Sequence, residues 1–273
     1  MTSYEHQPRY SGQHHEHAAG LPQVGAGSVS AHSRPFVESS ATTPQRPELT
    51  TRDFIEWDVR NWSTALDFWA HETAQELAGC SALEIGSRHG GLSLWLAHQG
   101  ANVVCSDVGG PSRRAGMKHA AAGVSNRITY ASVDATEIPY RNQFDIIVFK
   151  SVLGAVGGHQ GKDAQAGAIR QMYDALKPGG ELLFAENLIA APIHRYLRDH
   201  FVSWSRAWRY VSTDEMREFL SPFAYFTYRT VGFAGAFGRT PRQRDFLGLM
   251  DRMLLTRMVP ASWRYVMIGL ARK

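Results

Sequence analysis

The sequence lacks a long apolar run and has little cysteine. No apolar stretch reaches the roughly 18 residues that a membrane-spanning helix needs, so we expect no membrane partner. A charged segment followed by an apolar one is also missing at the start, and we therefore expect no signal peptide. The two cysteines, Cys80 and Cys105, are better explained as buried reduced thiols than as a disulfide, which favours a cytoplasmic location. Without C-x-x-C spacing, we expect no metal site.

A run of like charge is missing as well, although charge is unevenly distributed. The chain carries a net +4. Residues 190–273 hold 14 Lys and Arg, 13 of them Arg, against 6 Asp and Glu, so this part alone carries +8. Because these basic residues are not grouped, a nucleic-acid partner is not expected.

Apolar periodicity is absent from residues 1–52, which are rich in His, Ser, Gly, Pro and Gln. Such a segment cannot bury enough apolar surface to offset the entropy lost on ordering, and we expect a disordered tail. Its scattered histidines are expected to be solvated. Residues 53–273 carry the apolar patterns and are predicted to form one folded domain.

The strongest pattern begins at residue 81. Residues 81–85 form a short apolar run that predicts a buried parallel strand. Gly86, Gly90 and Gly91 then predict a tight turn before a helix, since glycine tolerates positive φ and lets a ligand approach closely. A second predicted strand ends at Asp107. The acid therefore lies beside the glycine turn, where ligands bind in doubly wound sheets.

The glycine spacing disfavours a dinucleotide site. The G-x-G-x-x-G fingerprint brings its glycine backbone against a pyrophosphate, but Arg88 holds the second glycine position here. Glu84, Gly86 and Gly90 fit E-x-G-x-x-x-G instead. This pattern resembles motif I of the class I S-adenosylmethionine-dependent methyltransferases, which usually have glycine where Arg88 stands.

The resemblance implies S-adenosylmethionine as the cofactor and assigns residues to it. In that family, the acid and the glycine loop hold the methionine end. Here these residues are Glu84, Gly86, Ser87, Arg88 and Gly90. An acid that ends the second strand takes the ribose hydroxyls in the family, which implies this role for Asp107. The segment before the first strand often folds over the cofactor, which points to Trp57 or Trp62, although a helix that only covers the sheet edge is the alternative.

Two later stretches also resemble the family. Asp134-Ala135 follows the third predicted strand and resembles the element that binds the adenine amine, with a solvated loop aspartate as the alternative. Lys150-Ser151 follows the fourth strand and resembles motif IV, which lines the cofactor site. The sequence L-K-P-G-G-x-L-L from residue 176 is a further family feature.

These elements predict an α/β fold of Rossmann-like type. We expect a seven-stranded, mostly parallel sheet with helices on both faces and an antiparallel last strand. Helical insertions are expected after the fifth and sixth strands, at residues 190–211 and 237–260. A late strand pair of this kind is a feature of the methyltransferase sheet that dinucleotide dehydrogenases generally lack.

Residues 190–211 interleave aromatic rings with arginines. Aromatic side chains can stack on rings or sugars, and arginine recognises carboxylate or phosphate. We therefore predict an acceptor-binding cap, with a structural aromatic helix or a solvated arginine face as alternatives. The predicted acceptor residues are His194, Trp204, Arg209 and Tyr210.

The predicted function is methyl transfer to an oxygen or nitrogen of a small acceptor, such as an acidic sugar or natural-product intermediate. Such a displacement needs mainly positioning, so a general base is optional. His159 and His194 are the candidates for that base. The alternatives are a nicotinamide-dependent oxidoreductase and a non-catalytic nucleoside-binding protein of the same fold.

Overall fold

Seven strands form one sheet in the computed structural model, which describes residues 48–202 and 207–273. The strands are β1 Ser81–Ile85, β2 Asn102–Asp107, β3 Ile128–Ser132, β4 Phe144–Lys150, β5 Leu176–Asn187, β6 Tyr225–Val231 and β7 Val266–Arg272. Their order is β3-β2-β1-β4-β5-β7-β6, and β7 runs antiparallel to both of its neighbours. The predicted Rossmann-like sheet with an antiparallel last strand is confirmed.

Helices cover both faces of this sheet. They are α1 Thr51–Phe54, α2 Val59–Trp62, α3 Thr64–Glu72, α4 Gly91–His98, α5 Arg113–Ala121, α6 Leu153–Ala175, α7 Pro192–Phe201, α8 Thr213–Phe219, α9 Pro241–Met250 and α10 Thr256–Met258. Neighbouring strand residues alternate between two apolar cores: Ala82 belongs to the core with α3 and α4, while Leu83 belongs to the core with α6 and α8. This alternation follows from the two-residue period of a strand, and it buries the sheet on both faces.

The folded part begins before the boundary predicted at residue 53. Thr50 and Asp53 form a reciprocal capping box that starts α1. Phe54 ends α1, and a Cβ added to Gly91 would lie only 2.3 Å from its carbonyl oxygen. Helix α1 therefore packs directly on the first residue of α4.

The predicted helical insertions lie after β5 and β6. After β5, α7 is followed by α8, which begins with a capping box between Ser212 and Glu215. After β6, α9 continues into a π-helical turn, Asp251–Leu255, and then α10. None of the helices in the two described ranges is long and apolar enough to span a membrane. Both cysteines are free and buried.

Helix α6 contains 23 residues. It runs from Leu153 with a break at Gly161, which has φ 81°. The N-terminal half carries glycines on the face toward residues 207–209. A Cβ on Gly154 would lie 1.7 Å from Nε1 of Trp208, and a Cβ on Gly158 would lie 1.9 Å from the carbonyl oxygen of Ala207. Because Gly154 and Gly158 have no side chains, residues 207–209 can pack against α6 at these positions.

Candidate active site

The glycine-rich loop after β1 is held in an unusual backbone conformation. Gly86, Arg88 and Gly90 all have left-handed φ values, of 66°, 51° and 67°. The amide of Ser87 donates to the carbonyl oxygen of Ser106 on β2 at 2.9 Å. Arginine rarely adopts positive φ, so the replacement of the family's usual glycine leaves the loop shape in place at some cost in backbone strain.

The glycines of this loop make room for protein atoms. A Cβ on Gly86 would lie 2.6 Å from Cγ2 of Val152, and one on Gly90 would lie 2.5 Å from the ring of His119. His119 is buried and bonds the carbonyl oxygen of Gly90 through Nε2 and the hydroxyl of Tyr130 through Nδ1, each at 2.8 Å. His119 of α5 therefore holds the loop in place, and the sequence pattern did not predict this contact.

Glu84 lies under this loop with its carboxylate against α4. Its Oε2 accepts from the amide of Ser93 at 2.7 Å and from the Ser93 hydroxyl at 2.5 Å. Burial raises the pKa of Glu84 to about 7, while the Ser93 bonds and the charge of Lys150 oppose that rise. A cation bound nearby would favour the carboxylate form.

Asp107 lies at the carboxyl end of β2, where the ribose was expected. Its Oδ2 accepts from the amide of Arg88 at 2.6 Å. Asp107 therefore holds the loop as well as facing the site, and in the described chain no hydrogen bond engages Oδ1. Asp134 is exposed, and its Oδ1 accepts from the amide and hydroxyl of Thr136. The neighbouring Ala135 is buried.

Lys150 ends β4 and points its ammonium over the ring of Trp62, with Nζ 5.0 Å from the ring centroid. Burial lowers the pKa of Lys150, and the charges of Glu84, Glu56 and Glu186 oppose this effect. Within residues 48–202 and 207–273, no hydrogen bond or ion pair of this ammonium occurs. Such a group needs an anionic partner when the site is closed from water.

The residues that the resemblance assigned to motifs I and IV fit a cofactor with polar groups. The ring nitrogen Nε1 of Trp62 and the hydroxyl of Ser87 are both buried without a hydrogen-bond partner in the described chain. Buried polar groups are normally bonded, so both are available to a ligand. Ser151 has φ 58°, and its hydroxyl accepts from Nδ2 of Asn187 at 2.6 Å.

Glu186, on β5, was not predicted from the sequence. Its Oε2 accepts from the amides of Val152 and Leu153 at 2.8 Å each, and its Oε1 accepts from the amide of Asn187. Burial raises the pKa of Glu186 to about 7. The carboxylate therefore binds the N-terminus of α6 and aligns the carboxyl ends of β4 and β5, with both oxygens already bonded.

Arg209 has protein partners of its own. Its guanidinium donates to the side chains of Gln165 and Glu215, and the Arg209 amide donates to the carbonyl oxygen of Gly154 at 2.9 Å. These contacts join α6 to α8. The predicted contact of Arg209 with the acceptor stays a prediction beside this structural role.

The other residues of the predicted cap have different environments. The guanidinium of Arg198 lies 3.8 Å from the ring centroid of Tyr210 and donates to the carbonyl oxygens of Leu188 and Ile189. Burial raises the pKa of Tyr210, and the nearby charge of Arg198 opposes this shift. Trp204 lies outside the described residues.

Among the contacts of the described residues, none joins Lys150 to either histidine proposed as the base. His159 is exposed on α6. His194 is buried, stacks on Phe237 at 4.6 Å, and donates through Nε2 to the carbonyl oxygen of Phe233. Because a carbonyl oxygen only accepts, Nε2 carries the proton of the neutral ring, and burial lowers the pKa of His194.

A buried polar cluster joins the start of the domain to the middle of the second insertion and to the residue before β7. The Nδ2 of Asn61 lies 3.0 Å from Oδ2 of Asp251 and 2.9 Å from the hydroxyl of Tyr265. That hydroxyl donates to Asp58, whose pKa is raised to about 7 by burial. Tyr265 immediately precedes β7, so the cluster lies at the same edge of the sheet as the carboxyl ends of β5 and β6.

Comparison with known proteins agrees with this geometry. Residues 83–184 match the family model of the methyltransferase domain. No curated protein matches the chain. The matched region begins in β1 and ends in β5, and it contains the loop, Asp107, Asp134 and Lys150.

Three solved structures of the same fold are similar to this chain. A Haemonchus contortus phosphoethanolamine N-methyltransferase 2, in complex with phosphomonomethylethanolamine and S-adenosylhomocysteine, is 17% identical over 77% of this chain, with a TM-score of 0.54. This chain spans 52% of the length of that enzyme. An S-adenosylmethionine-dependent methyltransferase from Mesorhizobium loti is 19% identical over 78% of this chain and 97% of its own, with a TM-score of 0.52. The cyclase SpnF is 22% identical over 76% of this chain and 78% of its own, with a TM-score of 0.51.

At these identities the solved structures show the fold, while the family match covers the stretch that carries the motifs. The match decides against the nicotinamide oxidoreductase that the sequence left open. Residues 83–184 therefore form a methyltransferase domain of the class I S-adenosylmethionine-dependent type, a family whose cofactor is S-adenosylmethionine.

Proposed function

We propose that the protein methylates an oxygen or nitrogen of a small acceptor that bears an acidic group, such as an acidic sugar or natural-product intermediate. The observation that carries this proposal is Lys150. Its ammonium lies at the carboxyl end of β4, beside Trp62, without an anionic partner in hydrogen-bonding range among the described residues. A carboxylate or phosphate of the acceptor supplies that partner.

The residues around Lys150 act mainly by positioning. The bound cofactor supplies an electrophilic methyl group together with its leaving group. Holding an acceptor atom on the axis of that methyl contributes about 7–11 kcal/mol to lowering the barrier. Glu186 keeps the ends of β4 and β5 aligned through its bonds to Val152 and Leu153, and Trp62 excludes water from one side. Because both Glu186 oxygens accept hydrogen bonds from backbone amides, we assign Glu186 a positioning role.

One solved structure of this fold supports an anionic acceptor. The Haemonchus contortus enzyme was solved with phosphomonomethylethanolamine, a small molecule that combines a phosphate with an amine. Only the chemical class is carried over to this protein. An amine or hydroxyl acceptor with an anionic group leaves the choice between oxygen and nitrogen to experiment.

An extract screen identifies the acceptor. The protein is incubated with S-adenosylmethionine and a small-molecule extract, and mass spectrometry detects compounds that gain one methyl group. We expect the modified compounds to be retained by an anion-exchange resin before and after the reaction. Methylation confined to neutral or cationic compounds would contradict the acidic acceptor.

Substitution of Lys150 tests the assignment of the anionic partner. Lys150→Gln removes the charge but keeps a polar side chain of similar length, and we expect the KM for the acceptor to rise about tenfold or more. The Kd for S-adenosylhomocysteine should stay within about twofold. Lys162→Gln is the control, since Lys162 is an exposed lysine paired with Glu218. If Lys150→Gln instead binds S-adenosylhomocysteine more weakly and keeps its KM for the acceptor, Lys150 belongs to the cofactor site, as the motif resemblance implied. The support for an acidic acceptor would then be lost.

A further inference from the structure

The second insertion exposes a continuous set of apolar side chains. They lie along α9, the π-helical turn and α10, at steps of one to five residues, and one more follows in the next turn. Each has 40 to 73% of its surface exposed. We call them the apolar stripe: Phe246, Leu249, Met253, Leu254, Met258 and Trp263. Exposed apolar residues are common singly, but six of them within residues 246–263 indicate a binding surface.

An arginine-lined cavity of about 400 Å³ is lined in part by residues of the same helical segment. We call it the arginine cavity; its lining is Thr50, Thr51, Arg52, Val59, Arg60, Ser63, Asp245 and Arg252. Asp245 and Arg252 each immediately precede a stripe residue, so the cavity and the stripe share the same helical segment. Arg52 is paired with Asp245 at 2.5 Å. Arg60 and Arg252 have no carboxylate partner in the described parts of the chain.

The charges on this surface are almost all positive. Arg242 and Arg257 are exposed on the same segment as the stripe. The only acids of the segment are Asp245, which is paired with Arg52, and Asp251, which is fully buried and accepts from the amides of Ala234 and Gly235. The surface therefore combines an apolar face with unneutralised arginines.

We propose that the apolar stripe and the arginine cavity together bind the surface of a bilayer that contains anionic phospholipid. A helix with an apolar face flanked by arginine lies in the interface with its apolar side chains among the acyl chains. A guanidinium group can donate to two oxygens of one phosphate at the same time. The hydroxyls of Thr51 and Ser63 add further donors in the cavity. No membrane span is needed for this mode of attachment.

Two other occupants fit the surface less well. In a two-fold dimer through the apolar stripe, the arginines of one copy would face those of the other, and like charges repel. A nucleic acid would satisfy the arginines, but its phosphate backbone would leave six apolar side chains against a strongly hydrated surface. A bilayer surface matches both the apolar side chains and the charges.

Co-sedimentation of the full chain with vesicles tests the proposal. One vesicle preparation contains only phosphatidylcholine, and the other contains phosphatidylcholine mixed with phosphatidylglycerol. We expect the protein to sediment with the mixed vesicles, to bind the neutral vesicles much more weakly, and to be released from the mixed vesicles as the salt concentration rises.

Paired variants separate the two parts of the surface. Arg60→Gln with Arg252→Gln should weaken binding to the mixed vesicles by about 25-fold, since each basic residue near an anionic surface contributes about fivefold. Phe246→Ser with Met253→Ser should weaken binding to both vesicle types. The matched controls are Arg170→Gln with Arg217→Gln, and Met117→Ser with Val108→Ser, which change exposed residues on other helices and loops. Circular dichroism confirms that each variant is folded.

Three results would overturn the proposal. Vesicle binding that is equal in the paired variants and their controls would place the contact elsewhere. Failure of the unmodified chain to sediment with the mixed vesicles would exclude an anionic bilayer as the partner. Light scattering that shows a dimer lost in the Phe246→Ser, Met253→Ser variant, or an RNA or DNA oligonucleotide that binds tightly where vesicles do not, would assign the surface to a second copy or to nucleic acid.

Discussion

Asp107 has two tasks that a single substitution can separate. Its Oδ2 accepts from the Arg88 amide and so holds the loop, while Oδ1 has no hydrogen-bond partner among the described residues and is left for the predicted ribose contact. Asp107→Asn keeps an oxygen for the Arg88 amide but removes the charge. We expect the Kd for S-adenosylhomocysteine to weaken about tenfold in Asp107→Asn and about a hundredfold in Asp107→Ala, in line with the loss of a charge-assisted hydrogen bond.

Isothermal titration measures both affinities, and Asp163→Ala on the exposed side of α6 serves as the control. Unchanged affinity in Asp107→Ala would exclude the ribose contact. Equal losses in the two variants would mean that the charge, and not the loop, determines the binding.

The raised pKa of Glu84 predicts how cofactor affinity depends on pH. Below about pH 7, the buried carboxyl is largely protonated in the free protein, and a proton must leave before the carboxylate can interact with a cationic cofactor. We expect the affinity for S-adenosylmethionine to rise by up to about tenfold per pH unit below this value and to level off above it. Titration of the affinity between about pH 6 and pH 8 checks the direction.

Glu84→Gln removes the titrating group while an amide oxygen still accepts from Ser93. The pH dependence should flatten in this variant. A slope that persists unchanged would assign the proton to Glu186, whose pKa is also raised to about 7.

At the scale of elements, Arg209 joins α6 to α8 through Gln165 and Glu215. Both side chains of the ion pair are partly buried, with 30% and 19% of their side-chain surface exposed. We expect Arg209→Ala to lower the free energy of unfolding by about 1–3 kcal/mol, because Gln165 and Glu215 lose their partner. Thermal denaturation measures the loss.

Arg195→Ala provides the comparison, since Arg195 is an exposed arginine on α7. Its melting temperature should stay close to that of the unmodified protein. An Arg209→Ala variant with unchanged stability and a raised KM for the acceptor would return Arg209 to the acceptor site.

Local sequence patterns predicted the helices and strands. They did not predict the long-range contacts around the site, and this has a physical reason. Strand β1, the turn at Gly86 and the capping box at Ser212 follow from residues within a few positions of each other. The direction of Arg209 depends on the fit of Trp208 beside Gly154, which is 54 positions away. The cluster of Asp58 with Tyr265 joins residues 207 positions apart. The periodicity of a sequence does not predict contacts between residues so far apart in the chain.

At the scale of the whole chain, the first helix decides where the folded unit begins. Lys118 donates to the carbonyl oxygen of Asp53 at 3.0 Å, and Phe54 packs against Gly91 at the start of α4. We expect a chain that begins at Glu48 to keep its melting temperature and cofactor affinity. A chain that begins at Glu56 lacks α1, and it should melt several degrees lower and bind S-adenosylhomocysteine more weakly.

Differential scanning calorimetry with and without S-adenosylhomocysteine measures both effects. If the chain that begins at Glu48 is also destabilised, the residues before it contribute to the fold. The disordered tail predicted from the composition would then be wrong.

The fit between Gly154 and Trp208 also limits how this sequence can diverge. Any other residue at position 154 would place its first side-chain atom where the indole lies. A smaller residue at position 208 alone would leave a void against α6, so each single step is unfavourable by itself. Paired replacement is the open evolutionary route, and we expect the two positions to covary among homologues. That covariation would locate the segment before α8 in relatives where no motif marks it.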